Sequence, residues 1–98
     1  MSTYIMLNQW TATGIEHVTK TPERLDKARK MAAEMGCEIK AFYVLMGHKY
    51  DSAVIVEAPD DAAMAKLALG IAMHGNVRTQ TLRAFTEGEF EEMIKSLQ

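Results

Sequence analysis

Apolar runs separated by turn residues predict four strands. Residues 3–9 are rich in Tyr, Ile, Met and Leu and end in polar residues, which is typical of a short first strand. The second strand is predicted to run from residue 38 or 39 to residue 46, the third over residues 51–58, and the fourth over residues 77–85. Since only a few residues separate the second strand from the third, these two strands must be antiparallel neighbours.

Apolar positions three and four residues apart predict three longer helices. Thr21 is the expected N-cap of the first, with a proline at the first helical position, and Gly36 ends it in the left-handed conformation. Asp60 is expected to cap the second helix, and Thr86 and Glu89 have the spacing of a capping box at the start of the third. The segment between the first strand and the first of these helices is predicted to hold one or two helical turns.

The order of these elements predicts an α+β fold of the ferredoxin-like βαββαβ type, with an antiparallel four-stranded sheet and an extra C-terminal helix. In that fold the helices cover one face of the sheet, so the other face of a monomer should be polar. The first strand instead places Ile5 and Leu7 on one side and Tyr4 and Met6 on the other. A second copy of the sheet is the simplest structure that could cover the apolar face without helices, so we expect a homodimer that pairs as a dimeric α/β barrel.

Composition narrows the class of protein. The 98 residues suit one domain, residues 1–98, and 48% hydrophobic residues suffice for a core. With a net charge of −2, the chain is not expected to have a basic surface that binds nucleic acid or anionic lipid. Cys37 has no partner for an internal disulfide, and a buried thiol at a helix-to-strand corner is expected. Residues 1–10 lack the features of a signal peptide, and no apolar run is long enough to span a bilayer, so a cytoplasmic protein is expected.

The three histidines do not predict a metal site. His17, His48 and His74 share no metal-ligand spacing, so neither a metal nor another cofactor is expected. His48, in the predicted hairpin, is a ligand-binding candidate, and a solvated turn residue is the simplest alternative. His74, at the predicted C-terminus of the second helix, is either a helix-dipole partner or a ligand-binding group.

Two residues at the end of the first strand are stronger binding candidates. Asn8 and Trp10 place an amide and an indole where a strand opens onto a cleft, and such groups can orient a flat ligand. They also have packing roles open to them, as a strand terminator and as a residue at a dimer seam. The expected partner of the site is a small apolar or aromatic molecule.

Arginine supplies the remaining candidate. Arg78 and Arg83 are five residues apart, so they lie on opposite faces of a regular fourth strand and only one of them can face a pocket. Arg83 is taken as the candidate that neutralises a ligand carboxylate. An ion pair with Asp51 or Glu57 is the alternative that the residue types favour.

Several segments together resemble the GYD-domain family of small bacterial and archaeal proteins. The matching segments are residues 3–5, 22–25, 47–51, 56–61 and 76–86. The resemblance implies the dimeric α/β barrel and no common activity. The family commonly has Gly, Tyr and Asp in succession, whereas here His48 and Lys49 lie between Gly47 and Tyr50. Turn geometry explains Gly47 better than it explains Tyr50 and Asp51, so these two residues are further ligand-binding candidates.

Two classes of function remain open at the level of sequence. The favoured one is a homodimeric small-ligand-binding or regulatory protein. The alternative is an enzyme similar to the cofactor-independent monooxygenases or haem-degrading enzymes, which place asparagine, tryptophan and histidine around an aromatic substrate. Asn8, Trp10 and His74 supply these residue types here. A purely structural subunit is the third hypothesis, because the alternative rests on analogy of fold.

Overall fold

The computed structural model describes residues 1–47 and 49–97. These residues form an antiparallel sheet of four strands, with helices between strands and one helix after the last strand. The strands lie in the order β2-β3-β1-β4. The elements are β1 Ser2–Trp10, α1 Ala12–Glu16, α2 Thr21–Glu34, β2 Glu38–Val44, β3 Ser52–Ala58, α3 Asp61–Ala72, β4 Val77–Ala84 and α4 Glu87–Lys95, with a 3-10 turn at Val18–Lys20. This is the predicted α+β architecture, with β1 and β3 at the centre of the sheet.

Side-chain caps start two of the helices where the sequence predicts them. The Asp60 carboxylate accepts a hydrogen bond of 2.8 Å from the amide of Ala63 at the start of α3. At α4 the Thr86 hydroxyl accepts from the Glu89 amide at 3.2 Å, and the Glu89 carboxylate accepts from the Thr86 amide at 2.9 Å. Gly36 has a φ of +73°, the left-handed conformation expected after α2. These bonds satisfy amides and carbonyls that the helices leave unpaired.

Two predicted boundaries are wrong. Thr21 is the first residue of α2 and not its N-cap, because the 3-10 turn runs directly into the helix. Its hydroxyl instead donates to the carbonyl of Val18 at 2.6 Å. β2 ends at Val44 and not at residue 46, since the chain turns away through Gly47, whose φ is +73°. The ends of β3 and β4 agree with the predictions to within one residue.

The core lies between α2, α3 and one face of the sheet, which we call the helix face. Alternation along β1 and β3 buries Met6, Val54 and Val56 on this side. The two helices add Met64 and Leu67, which are completely or almost completely buried. Burying side chains of this size contributes about 1.5–3 kcal/mol each, so this face is the main source of stability.

The opposite side of the sheet, which we call the outer face, is also largely apolar. Strand register places Ile5 beside Ile55 on one side and beside Leu82 on the other, in a row across three strands. Leu82 is 43% exposed. The molecule measures 52 × 32 × 17 Å, and its radius of gyration of 14.6 Å exceeds the roughly 13 Å typical of a compact domain of this length. The flat shape therefore leaves a broad apolar surface in contact with water.

The C-terminal helix is amphipathic and exposes its apolar side chains. Phe90 is 56% exposed and Met93 39% exposed, and none of the α4 residues is buried. Among the described residues, the structure contains no helix with the length and apolar character needed to cross a membrane.

Candidate functional site

A cavity of about 320 Å³ lies between the helix face of the sheet and helix α2. Its walls are mainly apolar side chains from the sheet and from α2 and α3. They include Met6, Leu25, Ala28, Met31, Phe42, Val54 and Ile71. Polar groups come from Asn8, Trp10, Arg24, Lys27, Ser52, His74 and Asn76. Small-molecule sites commonly have about 300–1,000 Å³ and this mixture of apolar walls with few polar groups, so the cavity has the size and chemistry of a ligand site.

Asn8 and Ser52 form a buried polar pair on the sheet side of the cavity. They face each other in the register of β1 and β3, and each is only 5% exposed. The Asn8 side-chain nitrogen donates to the Ser52 hydroxyl at 3.1 Å. The Asn8 carbonyl oxygen Oδ1 is buried and finds no hydrogen-bond partner among the described residues. An unpaired buried polar group costs about 1–3 kcal/mol, so a bound polar group would relieve a real penalty here.

Asp51 braces the strands next to this pair. Its carboxylate accepts a hydrogen bond of 2.9 Å from the backbone amide of Trp10. Its own amide donates to the carbonyl of Asn8, and its carbonyl accepts from the amide of Leu45, both at 2.8 Å. A Cβ on Gly47 would lie 3.2 Å from the Asp51 carboxylate, so the turn packs closely against it. Asp51 thus fixes the end of β1, from which Asn8 and Trp10 reach the cavity.

A second set of bonds positions the rim at the start of β4. The backbone amide of Thr11 donates to the carbonyl of Asn76 at 3.1 Å, and its hydroxyl donates to the carbonyl of Gly75 at 2.6 Å. Gly14 lies so close that a Cβ there would stand 1.8 Å from the Asn76 carbonyl oxygen. Because this contact tolerates only glycine, α1 seats tightly against the loop that carries His74 and Asn76.

The charged groups around the cavity are all of one sign. Arg24 and Lys27 lie one turn apart on α2. No aspartate or glutamate of the described chain lines the cavity. The arrangement favours anionic over cationic ligands.

Three of the predicted site residues come together in this cavity: Asn8, Trp10 and His74. Tyr50 and Asp51 do not line it. The Tyr50 hydroxyl donates to the Gln80 side-chain carbonyl. His48 lies outside the described residues.

Arg83 lies away from the cavity. Its guanidinium pairs with the Glu89 carboxylate at 3.6 Å, so the predicted ion pair with Asp51 or Glu57 is wrong. The same group stacks 4.4 Å from the centroid of the Phe85 ring and 5.6 Å from that of Tyr4. The prediction failed because it considered only the carboxylates of Asp51 and Glu57. The carboxylate that pairs with Arg83 belongs to Glu89 of α4, the helix that follows β4. Arg78 lies opposite Gln9 and Arg83 opposite Tyr4, so the two arginines do occupy opposite faces.

Outside the cavity, the side chains of Tyr4 and Cys37 have raised pKa values. The Tyr4 hydroxyl donates to the Asp61 carboxylate, and this bond, with burial, raises the pKa of Tyr4. Burial raises the pKa of the Cys37 thiol, and the nearby Asp60 charge adds to the effect. Cys37 is buried at the corner between α2 and β2, as expected. In residues 1–47 and 49–97, no group of three or more His, Cys, Asp or Glu side chains is placed to hold a metal ion.

Sequence reasoning missed the α2 side of the cavity. Arg24, Lys27, Ala28 and Met31 recur at spacings of three and four residues, which places them on one side of the helix. Two cations within an otherwise apolar stripe are a signal that such a pattern can reveal. Ser52 was missed because its importance depends on pairing with Asn8 across the sheet.

The strand order and the placement of the helices define a ferredoxin-like α+β protein. The fold is similar to the crystal structure of TTHA0845 from Thermus thermophilus, with a TM-score of 0.55 and 24% sequence identity, over 88% of this chain and 95% of that one. At this identity the likeness concerns the fold.

The family follows from the sequence match. The family model of the GYD domain matches residues 4–94, and the chain belongs to the GYD domain family. One relative is the glutamine synthetase and cystathionine beta-lyase binding protein of Thermus thermophilus. It is 33% identical over 96 residues, which are 97% of this chain and 100% of the relative.

Proposed function

We propose that this chain is a small homodimeric regulatory protein that binds a small molecule in the cavity beside α2. The observation that carries the proposal is the buried Asn8 oxygen without a partner, next to an apolar cavity of about 320 Å³. A protein selected only for stability has no need of such a group, since an apolar side chain avoids the penalty. A ligand that hydrogen-bonds to Asn8 would satisfy this oxygen and would explain why an amide is buried at this position.

The GYD relative supports the proposal that this chain regulates other proteins by binding to them. That relative is named for binding two enzymes, and it matches this chain over its full length. The outer face and α4 offer this chain exposed apolar surface of the kind that binds proteins. We therefore include protein partners in the proposal, with the ligand as the signal.

The homodimer uses the outer face. Ile5, Ile55 and Leu82 form an apolar row across the sheet, and a two-fold axis would bring this row against its own copy. A standard interface buries about 1,600 Å² in total, and a molecule of 52 × 32 × 17 Å is flat enough to offer a surface of that size.

Native mass spectrometry of freshly purified protein tests ligand and dimer together. The proposal expects a dimer carrying an added small molecule, and expects Asn8→Leu to lose that molecule while the dimer remains. Retention of the same molecule by Asn8→Leu would refute the role given to this cavity.

Sedimentation across a wide range of protein concentration tests the interface separately. Leu82→Glu should shift the protein to monomer, because it places a charge in the apolar row. Met46→Glu is the matched control, since Met46 is fully exposed in the turn after β2. A monomeric wild-type protein at all concentrations would contradict the dimer.

An enzyme acting on an aromatic substrate is the second candidate, because Asn8, Trp10 and His74 line one cavity. Incubation with the ligand found by mass spectrometry separates the two functions. A change in ligand mass that His74→Ala abolishes without loss of affinity would favour the enzyme, and an unchanged ligand would favour binding alone.

A further inference from the structure

We infer that the ligand of this cavity is an amphipathic organic anion with a hydroxyl group: its apolar body packs between sheet and α2, its hydroxyl meets Asn8, and its acidic group lies near Arg24 and Lys27. The inference rests on the proposed function and specifies the chemistry of the ligand. Three features of the cavity support the polar groups of this ligand, and the apolar lining supports its body.

The first feature is unbalanced positive charge. The whole chain is slightly acidic, with 13 Asp and Glu against 11 Lys and Arg. The cavity reverses that balance, because Arg24 and Lys27 line it and no carboxylate of the described residues does. A cleft with low-dielectric walls concentrates the field of such charges and attracts an anion.

The second feature is that these two cations are uncommitted. The ion pairs of the described residues involve Lys20, Lys40, Arg83 and Lys95, and neither Arg24 nor Lys27 takes part in one. The only hydrogen bond that the Arg24 guanidinium donates to a described residue is long, 3.5 Å to the carbonyl of Gly14. A guanidinium has five N–H donors in a planar fork that suits a carboxylate, so most of its donor capacity is available to a ligand.

The third feature is the Asn8 amide, which lines the cavity from strand β1, whereas the two cations line it from α2. The Ser52 hydroxyl can accept from the Asn8 nitrogen or donate to its oxygen, so rotation of the amide leaves either the oxygen or the nitrogen unpaired. A ligand hydroxyl both donates and accepts, so it satisfies either orientation. Purely apolar acids lack such a group and leave the amide without a partner.

The apolar walls of the cavity determine which body of the ligand it can hold. Met6, Met31 and Val54 are apolar, and methionine adapts its shape to flat or branched groups. A rigid aromatic or alicyclic body fits this lining better than a polar chain, which would lose its hydrogen bonds to water.

Three fluorescent naphthalene probes test the inference. 6-Hydroxy-2-naphthoate carries both groups at opposite ends, 2-naphthoate lacks the hydroxyl, and 2-naphthol lacks the charge at neutral pH. We expect 6-hydroxy-2-naphthoate to bind about tenfold more tightly than either of the others, a difference of about 1.4 kcal/mol. Its affinity should also fall with added salt, as expected for an ionic contact at a partly open site.

Protein variants locate the binding. Arg24→Gln with Lys27→Gln should weaken both naphthoates about tenfold and leave 2-naphthol unchanged. Arg29→Gln with Lys30→Gln is the matched control, because it makes the same change of charge on α2 at residues that do not line the cavity. Ala28→Trp should block all three probes by filling the cavity, with circular dichroism confirming that the variant is folded.

The outcomes separate the two proposals. Equal affinity for 2-naphthol and 6-hydroxy-2-naphthoate, or equal effects of the two double variants, would overturn the anion and leave the small-molecule site standing. Equal affinity for the two naphthoates would overturn the hydroxyl. If no probe binds and the purified protein carries no small molecule, the proposed function itself fails.

Discussion

Replacing the buried polar pair beside the cavity should stabilise the protein while it removes ligand recognition. In the double variant Asn8→Leu with Ser52→Ala, the unpaired Asn8 oxygen disappears, which relieves about 1–3 kcal/mol. The 3.1 Å hydrogen bond between the two side chains is also lost, at a cost of about 1 kcal/mol. The net expectation is a gain of about 1 kcal/mol, or a rise of about 4–8 °C in Tm for a domain of this size.

Thermal unfolding of wild type, the double variant and Asn8→Leu alone measures this balance. All three are compared at one protein concentration, because the proposed dimer would make the Tm depend on concentration. Asn8→Leu alone should be less stable than the double variant, since it leaves the Ser52 hydroxyl buried without its partner. The double variant should also bind 6-hydroxy-2-naphthoate no better than 2-naphthoate. A double variant that is less stable than wild type would refute the view that the amide is kept at the expense of stability.

Three further predictions concern other parts of the fold. Gly14→Ala should destabilise the protein by about 1–3 kcal/mol in chemical denaturation, because its Cβ meets the Asn76 carbonyl, whereas Gly88→Ala, in open space on α4, should be neutral or stabilising. The hydrogen bond from the Thr86 amide lowers the pKa of Glu89. The ionised Glu89 therefore stabilises α4 above the ordinary glutamate pKa, and this stabilisation is lost as the pH falls through the lowered pKa. Amide exchange in α4 should become faster over that pH range, and Glu89→Gln should remove the pH dependence. Because burial raises its pKa, Cys37 should react slowly with a thiol reagent at neutral pH and quickly in denaturant; equal rates would show that the thiol is accessible.

The fold was predictable where its signals are local. Asp60 and the Thr86–Glu89 box mark helix starts through bonds within four residues, and Gly36 marks a helix end through its own backbone. Thr21 has the same residue type as a good cap, yet the preceding 3-10 turn made it helical. That outcome depends on how the whole connection packs, which residue preference does not encode.

The site was predictable in part for the same reason. Asn8, Trp10 and His74 were candidates because uncommon residues stood at the ends of predicted elements, and the structure brings them to one cavity. Arg24 and Lys27 were missed, since a charged residue on a helix is ordinarily solvated. Only the placement of α2 over the sheet decides that these two cations border the cavity.

Strand β1 ties the cavity to the outer face. Asn8 turns toward the cavity, while its neighbours Leu7 and Gln9 turn to the opposite side of the same strand. The Asp51 brace holds the end of β1 to β3, so a shift of Asn8 on ligand binding would move the neighbouring residues of the outer face, which forms the interface of the proposed dimer. By thermodynamic linkage, a ligand that changes the dissociation constant of the dimer by some factor must have its own affinity changed by dimerisation by that same factor. Sedimentation with and without 6-hydroxy-2-naphthoate measures this factor, and a factor of one would mean that the cavity and the outer face act independently.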